Sequence, residues 1–378
     1  MVTQMADPSP SGILFVVEVD PISDVRWQEY VASHPDGLIY HHPAWLSVLK
    51  SEYGRTPIGL ACVDASGQFA GVLPLLRTDG LPLLRAGRLT GRRLSSLPRT
   101  PVAGPLVRDN RVALSLVRAA IERIDEEPGT RLQLKVPAAT LDGLVDDLIG
   151  TPWRSNFVLA LPATVKELHF GSSRNHSRIR WAVNKATKSG VQVRVAETEA
   201  DVRAWYALYL ETMRWSCVPP RPYRLFKAMW EILNPHNLMR LYLAERWQGG
   251  ESTLLAGSIF LMSGSRVFYA FNGWQRNARE LRANDAVQWH AIHEATRGGF
   301  QYLDFGEVAD SREGLAEFKA KWGGEVRPLY RYYYPSLGQP SRSRLEPGSY
   351  DPELVKRIWR HVPLRATARL GDWLYRRL

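Results

Sequence analysis

The chain has 378 residues, 45% of them hydrophobic, with 13 Trp, 15 Tyr and 11 Phe. That length suits two domains or one duplicated domain, and that apolar content excludes a disordered or fibrous chain. Two cysteines, Cys62 and Cys217, exclude a disulfide scaffold and a multi-cysteine metal cluster, while the formal net charge of +11 asks for a polyanionic partner.

Met1 to Gly12 carries an acid and two prolines rather than a basic end before an apolar run, so no signal peptide is expected there. No stretch approaches the roughly 18 apolar residues that span a bilayer. These features predict a soluble, cytoplasmic protein.

Periodicity predicts helices over Asp24–His34 and Pro43–Tyr53, then a hairpin of Ile58–Val63 and Phe69–Leu76 around Asp64-Ala65-Ser66-Gly67. From Arg77 to Arg108 there are seven Arg against Asp79 alone. The next feature is a helix from Arg174 to Ser189. Between Leu168 and Ala196 stand Arg174, Arg178, Arg180, Lys185, Lys188 and Arg194, with no acid. At 100° per residue Arg174, Arg178, Trp181, Lys185 and Lys188 share one stripe, beside an apolar stripe of Ile179, Ala182, Val183 and Ala186. Like charges at i,i+4 repel, so the stripe is either a solvated face or an anion site, in which Trp181 could stack on a base or sugar.

The hairpin pattern then returns as Met239–Ala244, Gln248-Gly249-Gly250 and Leu254–Met262. Ala70-Gly71-Val72-Leu73-Pro74-Leu75 is echoed by Ala256-Gly257-Ser258-Ile259-Phe260-Leu261, about half a chain later, which suggests duplication. Val267–Asn272 reads as a strand. Asn284 or Asp285 can cap a helix with Ala286, Trp289, Ile292 and Ala295 inward, ended by Gly298-Gly299. Tyr302–Phe305 is the next strand. Asp310 and Glu313 form a capping-box pattern before a helix with Leu315, Phe318 and Trp322 inward, and Val326–Tyr334 is the last strand. A Ser/Pro/Gly-rich linker follows, then a basic tail bearing Lys356, Arg357, Arg360, Arg365, Arg369, Arg376 and Arg377. In it Leu354, Ile358 and Val362 form an apolar stripe, and Trp359, Trp373 and Tyr375 are residues that seek a membrane interface. The tail either binds an anionic membrane or packs on the body.

Chemistry-bearing candidates are few. Asp304 or Glu307, at a strand end entering a loop, could be a general base, or Asp304 could cap a turn and Glu307 face solvent. Lys319 could stabilise an oxyanion from the edge of a buried stripe or be an ordinary helical lysine. His41-His42 and His290/His293 lack metal-ligand spacing with a third partner, so no metal site is expected. No nucleophile elbow, phosphate-binding loop or dinucleotide fingerprint occurs.

The ordered run Tyr302-Leu303-Asp304-Phe305-Gly306, then Phe318-Lys319-x-x-Trp322-Gly323, resembles the Fem-type (FemAB-like or BioF2-like) acyltransferases, relatives of the peptidoglycan bridge-forming aminoacyltransferases. His41-His42-Pro43-Ala44-Trp45-Leu46, Gly71-Val72-Leu73-Pro74-Leu75, Leu97-Pro98 before Gly104-Pro105-Leu106, and Arg178 to Gly190 agree with it, so the resemblance covers residues 25–334. It implies an α/β fold of tandem GNAT-like domains with mixed sheets flanked by helices: 12–155, 156–335 carrying the Fem-type motifs, and a tail over 336–378. The implied activity is N-acyl transfer from aminoacyl-tRNA or acyl-CoA, with no covalently bound cofactor, to an amine of a phosphorylated or lipid-linked cell-envelope or exopolysaccharide precursor. Lys319 and Asp304 would be catalytic, Phe318 and Trp322 would hold the donor, and Arg178, Arg180, Trp181 and Lys185 would hold phosphates or substrate. Residues 351–378 would give peripheral contact with the inner face of the membrane. The chain lacks the heptad-bearing arm of the bridge-forming members, and the segment from Trp274 to Arg282 has no glycine where CoA-using relatives keep a pyrophosphate loop, which argues against CoA. A non-catalytic RNA- or membrane-binding protein on the same fold is the reading from another class.

Overall fold

A computed structural model describes residues 14–80, 91–309, 312–336 and 359–375. The first half contributes β1 (Phe15–Val19), α1 (Val25–Ser33), α2 (Pro43–Tyr53), β2 (Ile58–Val63), β3 (Phe69–Thr78), β4 (Arg93–Ser95), β5 (Leu106–Val107), α3 (Asn110–Asp125), β6 (Arg131–Val136) and β7 (Thr151–Ala160). The second contributes α4 (Ser173–Lys188), β8 (Val191–Val195), α5 (Glu199–Trp215), α6 (Tyr223–Leu233), β9 (Met239–Gln248), β10 (Glu251–Ser263) and β11 (Arg266–Trp274). It ends with α7 (Ala283–Arg297), β12 (Tyr302–Val308), α8 (Glu313–Lys321), β13 (Glu325–Tyr334) and the tail helix α9 (Leu364–Tyr375).

Twelve strands form one sheet in the order β1-β2-β3-β4-β6-β13-β7-β12-β11-β10-β9-β8, with β5 paired to β3. The order is symmetric about the β13–β7 pair. A trio of antiparallel strands lies at each end, followed by a parallel pair (β4 with β6, β11 with β12) and then the last strand of the other half. The duplication is therefore a property of the topology, and the halves exchange their final strands. The expected boundary at 155/156 falls inside β7, so the sheet does not divide there. The sequence echo is less faithful than the topology. A side chain on Gly71 would strike Val112 and Leu116 of α3, whereas one on Gly257 would strike Trp205 of α5, on the opposite face of the sheet.

Three cores follow. On one face α1, α2, α5 and α6 bury Trp27, Leu49, Trp205 and Phe226 together, so this core belongs to both halves. On the other, α3 covers the first half around Leu116 and Leu134, and α4 and α7 cover the second around Ile179, Val287 and Leu303. Glu52 of α2 and Arg221 join the halves by a bidentate pair at 2.9 and 2.5 Å, both buried.

Local chemistry explains most helix ends. Asp24 caps α1 and Thr198 with Asp201 forms a capping box on α5. Two expected caps fail: α7 starts after Arg282, a left-handed residue with no side-chain cap, and Asp285 lies in its first turn. Asp310 lies outside the described residues, and α8 starts after Arg312 without a side-chain cap. Leu315 is 43% exposed rather than inward. In α9, Thr367, Gly371 and Tyr375 are buried against the body, so Tyr375 seeks protein rather than a membrane. Its ring lies between Arg99 and Arg221, and its hydroxyl donates to Pro219 O. Leu354, Lys356, Arg357 and Ile358 lie outside the described residues. Among the described residues no helix is long and apolar enough to cross a membrane.

Candidate active site

The parallel pair β11–β12 holds register only at Arg266↔Tyr302, Val267↔Leu303 and Phe268↔Asp304, although both strands continue. Beyond Phe268 and Asp304 the strands part into a wedge. On its other edge β12 slips register against β7 between Asp304 and Glu307. The slip uses Gly306 at φ +75, a conformation that favours glycine; a Cβ there would stand 3.7 Å from Tyr269 O and 3.8 Å from Lys319 Nζ.

Five polar side chains meet at this slip. Lys319, the buried face of α8, donates to Gly306 O at 2.9 Å and Glu307 O at 3.2 Å. Asp304 accepts from Asn156 Nδ2 at 2.8 Å and from Gly306 N at 2.7 Å. Glu307 takes Arg154 at 2.7 Å. Burial governs the electrostatics: it pulls the Lys319 ammonium down to about 8, against the pull of Asp304 and Glu307, and it raises the Asp304 carboxyl despite its hydrogen bonds. Tyr40, in a 3-10 turn of the first half, packs its ring 5.0 Å from Phe268. Burial, with Asp304 and Glu307 nearby, raises its phenol well above the ordinary value. Behind the wedge Tyr269 hydrogen-bonds Ser258 and Gln288.

Counting from the parallel pairs, Arg93↔Arg131 corresponds to Arg266↔Tyr302, so Gln133 is the first-half counterpart of Asp304. The wedge in that half is filled by its own chain: Ala103 N donates to Lys135 O, and the Lys135 ammonium donates to Leu97 O. Among the described residues, only the second half combines an open wedge with a carboxylate and a lysine.

The structure thus brings Lys319, Asp304 and Glu307 together. Phe318 is half-buried, 6.4 Å from Trp322. Trp322 is wholly buried, packed edge-on against Phe170, and so holds the core rather than a donor. Arg178 and Arg180 are exposed on α4, apart from the wedge. Trp181 and Lys185 meet the segment leaving β11: Arg282 stacks 5.3 Å over Trp181, and Lys185 pairs with Glu280 at 3.6 Å. That segment forms a 3-10 turn over Arg276–Leu281 whose Ala278 and Arg282 N–H groups bond within it. Sequence reasoning missed Tyr40, Asn156 and Arg154, which no local pattern ties to Asp304.

Residues 173–320 match the family described as acetyltransferase (GNAT) domain. The matched segment lies within the second half and includes α4, α7 and β12. Most of the chain has the fold of solved structures at low identity. FemX superposes with a TM-score of 0.64 at 16% identity, over 84% of this chain and 97% of that one. L-PGS from Bacillus licheniformis gives 0.54 at 10%, over 93% and 98%. Saccharomyces cerevisiae N-myristoyltransferase with bound myristoyl-CoA gives 0.50 at 11%, over 88% and 82%. No curated protein matches the sequence significantly. The matched segment carries the open wedge; the first half repeats the topology with the wedge closed.

Proposed function

We propose that the protein transfers an aminoacyl group from aminoacyl-tRNA to an amine of a cell-envelope precursor, at the point where β11 and β12 part. The observation that carries the reading is the buried Lys319 ammonium beside Asp304 at the mouth of the open wedge. The amine nitrogen attacks the ester carbonyl, forming the C–N bond. Lys319 stands where an ammonium can offset the developing oxyanion. The C–O bond to the ribose breaks, and the amine proton passes to Asp304 and on to the leaving oxygen. Phe318, half-buried next to Lys319, would touch the acceptor end of the donor. Trp181, Lys185 and Arg282 would contact its phosphates, with the exposed Arg178 and Arg180 further along the same helix.

The 3-10 turn supports tRNA over CoA, because it spends backbone N–H groups internally and offers a pyrophosphate no glycine cradle. The uncapped start of α7 supports an acyl-CoA donor instead, as a second reading. Transfer assays with charged tRNA and with acetyl-CoA, each with and without RNase, separate the two. Transfer abolished by RNase is expected. Transfer that survives RNase and needs only the CoA ester overturns the tRNA reading. Salt adds a second readout, since release of several counterions makes tRNA affinity fall more steeply than that of a CoA ester.

A further inference from the structure

A cavity of about 150 Å³ opens between the C-terminal half of α7 and strands β9, β10 and β11, on the face of the sheet that α4 and α7 cover. Phe260, Val267, Ala291 and Ala295, all buried, form its walls. Its rim is polar, with Arg240 and Tyr242 on the strand side and Glu294 on the helix side. Among the described residues the two rim charges do not pair with each other. Arg240 bonds only neutral oxygens, Met239 O at 3.1 Å and Asn237 Oδ1 at 2.6 Å. Glu294 takes Arg297 at 2.7 Å through Oε1, and among the described residues its Oε2 has no partner. The Tyr242 hydroxyl senses both charges. Burial first, then Glu294, push its phenol up to about 12 while Arg240 pulls the other way, so it stays a neutral donor.

Protein interiors are close-packed, because atoms lining a void lose contacts on one side. Here an apolar hole persists beneath opposite charges that stand apart, an arrangement that a ligand completes. Its volume fits one ring or a branched alkyl group and excludes a nucleotide. The head of that ligand has to match both signs. A carboxylate suits the Arg240 fork and the Tyr242 hydroxyl, and an ammonium suits the free oxygen of Glu294.

We propose that this cavity binds a free apolar α-amino acid, side chain inward, with its carboxylate on Arg240 and its ammonium on Glu294. The site is separate from the wedge: the rings of Phe260 and Tyr269, 5.5 Å apart, stand between them. α7 links the two, since Asp285 in its first turn pairs with Lys321, two residues from Lys319. Ala291 and Ala295 lie about 9–15 Å further along the same helix.

Calorimetric titration of the full chain with L-leucine and with L-phenylalanine tests this without turnover. Saturable binding of at least one is expected, weakened at least about tenfold by Arg240→Gln, which removes a charged hydrogen bond. Ala295→Leu, which fills the cavity, should weaken it as much while Tm holds or rises. Lys319→Met should leave it unchanged, which separates this site from the acyl-transfer site. The deaminated analogues, isocaproate and phenylpropionate, should bind at least about tenfold more weakly than the parent amino acids, and Glu294→Gln should erase that preference. The proposal is overturned if neither amino acid binds saturably, if binding survives both Arg240→Gln and Ala295→Leu, if Lys319→Met abolishes it, or if the deaminated acids bind as tightly.

Discussion

Lys319 is held where folding alone would not put it. Drawing its ammonium from 10.5 to about 8 corresponds to a cost of about 3 kcal/mol. Lys319→Met should therefore lower the transfer rate about 100- to 1000-fold while Tm, followed by calorimetry at pH 7, changes little, because two hydrogen bonds and one desolvation cost are lost together. A collapse of Tm in step with activity would make the lysine structural. The sign of the pH effect follows. Between about 8 and 10.5 the unfolded state holds this proton and the folded state does not, so wild-type stability gains a rising contribution across that window that the Met variant lacks. The rate should fall above about pH 8, as the oxyanion partner loses its charge, and also on the acid side, through the raised Asp304 carboxyl. A kcat profile flat through pH 8 would remove Lys319 from the chemistry. At this scale the sequence was only partly legible. Lys319 and Asp304 stood out through motif order, not spacing, and Trp322 followed the same motif into the core. Tyr40 reaches the site from the other half, where nothing local marks it.

Helix periodicity showed α4 correctly as half core, half charge: Ile179, Ala182 and Ala186 are buried and Trp181 is 56% exposed. What it could not show is the partner, since Glu280 and Arg282 come from a turn a hundred residues later. Arg178→Glu with Lys185→Glu should weaken binding of charged tRNA at least tenfold and move Tm by no more than about 2 °C, because exposed pairs contribute little to folding. Intact binding with a large fall in Tm would make the stripe structural. α5 went unread although Thr198 and Asp201 mark its start; β7 carries no clear alternation, and its exposed first half explains why. In the tail, an amphipathic stripe alone left two docking partners open, and α9 uses its buried face on the body. A Cβ at Gly371 would stand 2.2 Å from Pro220 O. Gly371→Leu should therefore dislodge the helix and lower Tm by about 1–3 °C, as expected for loss of one or two kcal/mol in a chain of this size. An unchanged melt would show that the tail does not hold the body, and flotation with anionic liposomes would then become the deciding measurement for the outward Leu370 and Trp373.

For the whole molecule, an echoed hairpin suggested duplication, and the topology confirms two repeats while reversing the face on which the echoed glycines sit. Alternating patterns report which residues are buried but not which strands become neighbours, so the exchange of final strands left no trace in the sequence. Its consequence is cooperative. β6 is closed by β13 of the second half, β12 by β7 of the first, and the core around Trp27 and Trp205 spans both. Residues 12–155 alone would leave β6 without β13 and cut β7 short; residues 156–335 alone would leave Arg221 buried without Glu52. Breaking such a buried pair typically costs about 3–5 kcal/mol, a large part of the stability of a domain. Neither half expressed alone should show a sharp thermal transition by near-ultraviolet circular dichroism, and moving the cut from 155 to 160 should not rescue either. The full chain should melt in one step, since each of the three cores takes side chains from both halves. A cooperative melt from either isolated half would mean that the exchanged strands and the Glu52–Arg221 pair are dispensable, and that the repeats fold first and dock afterwards.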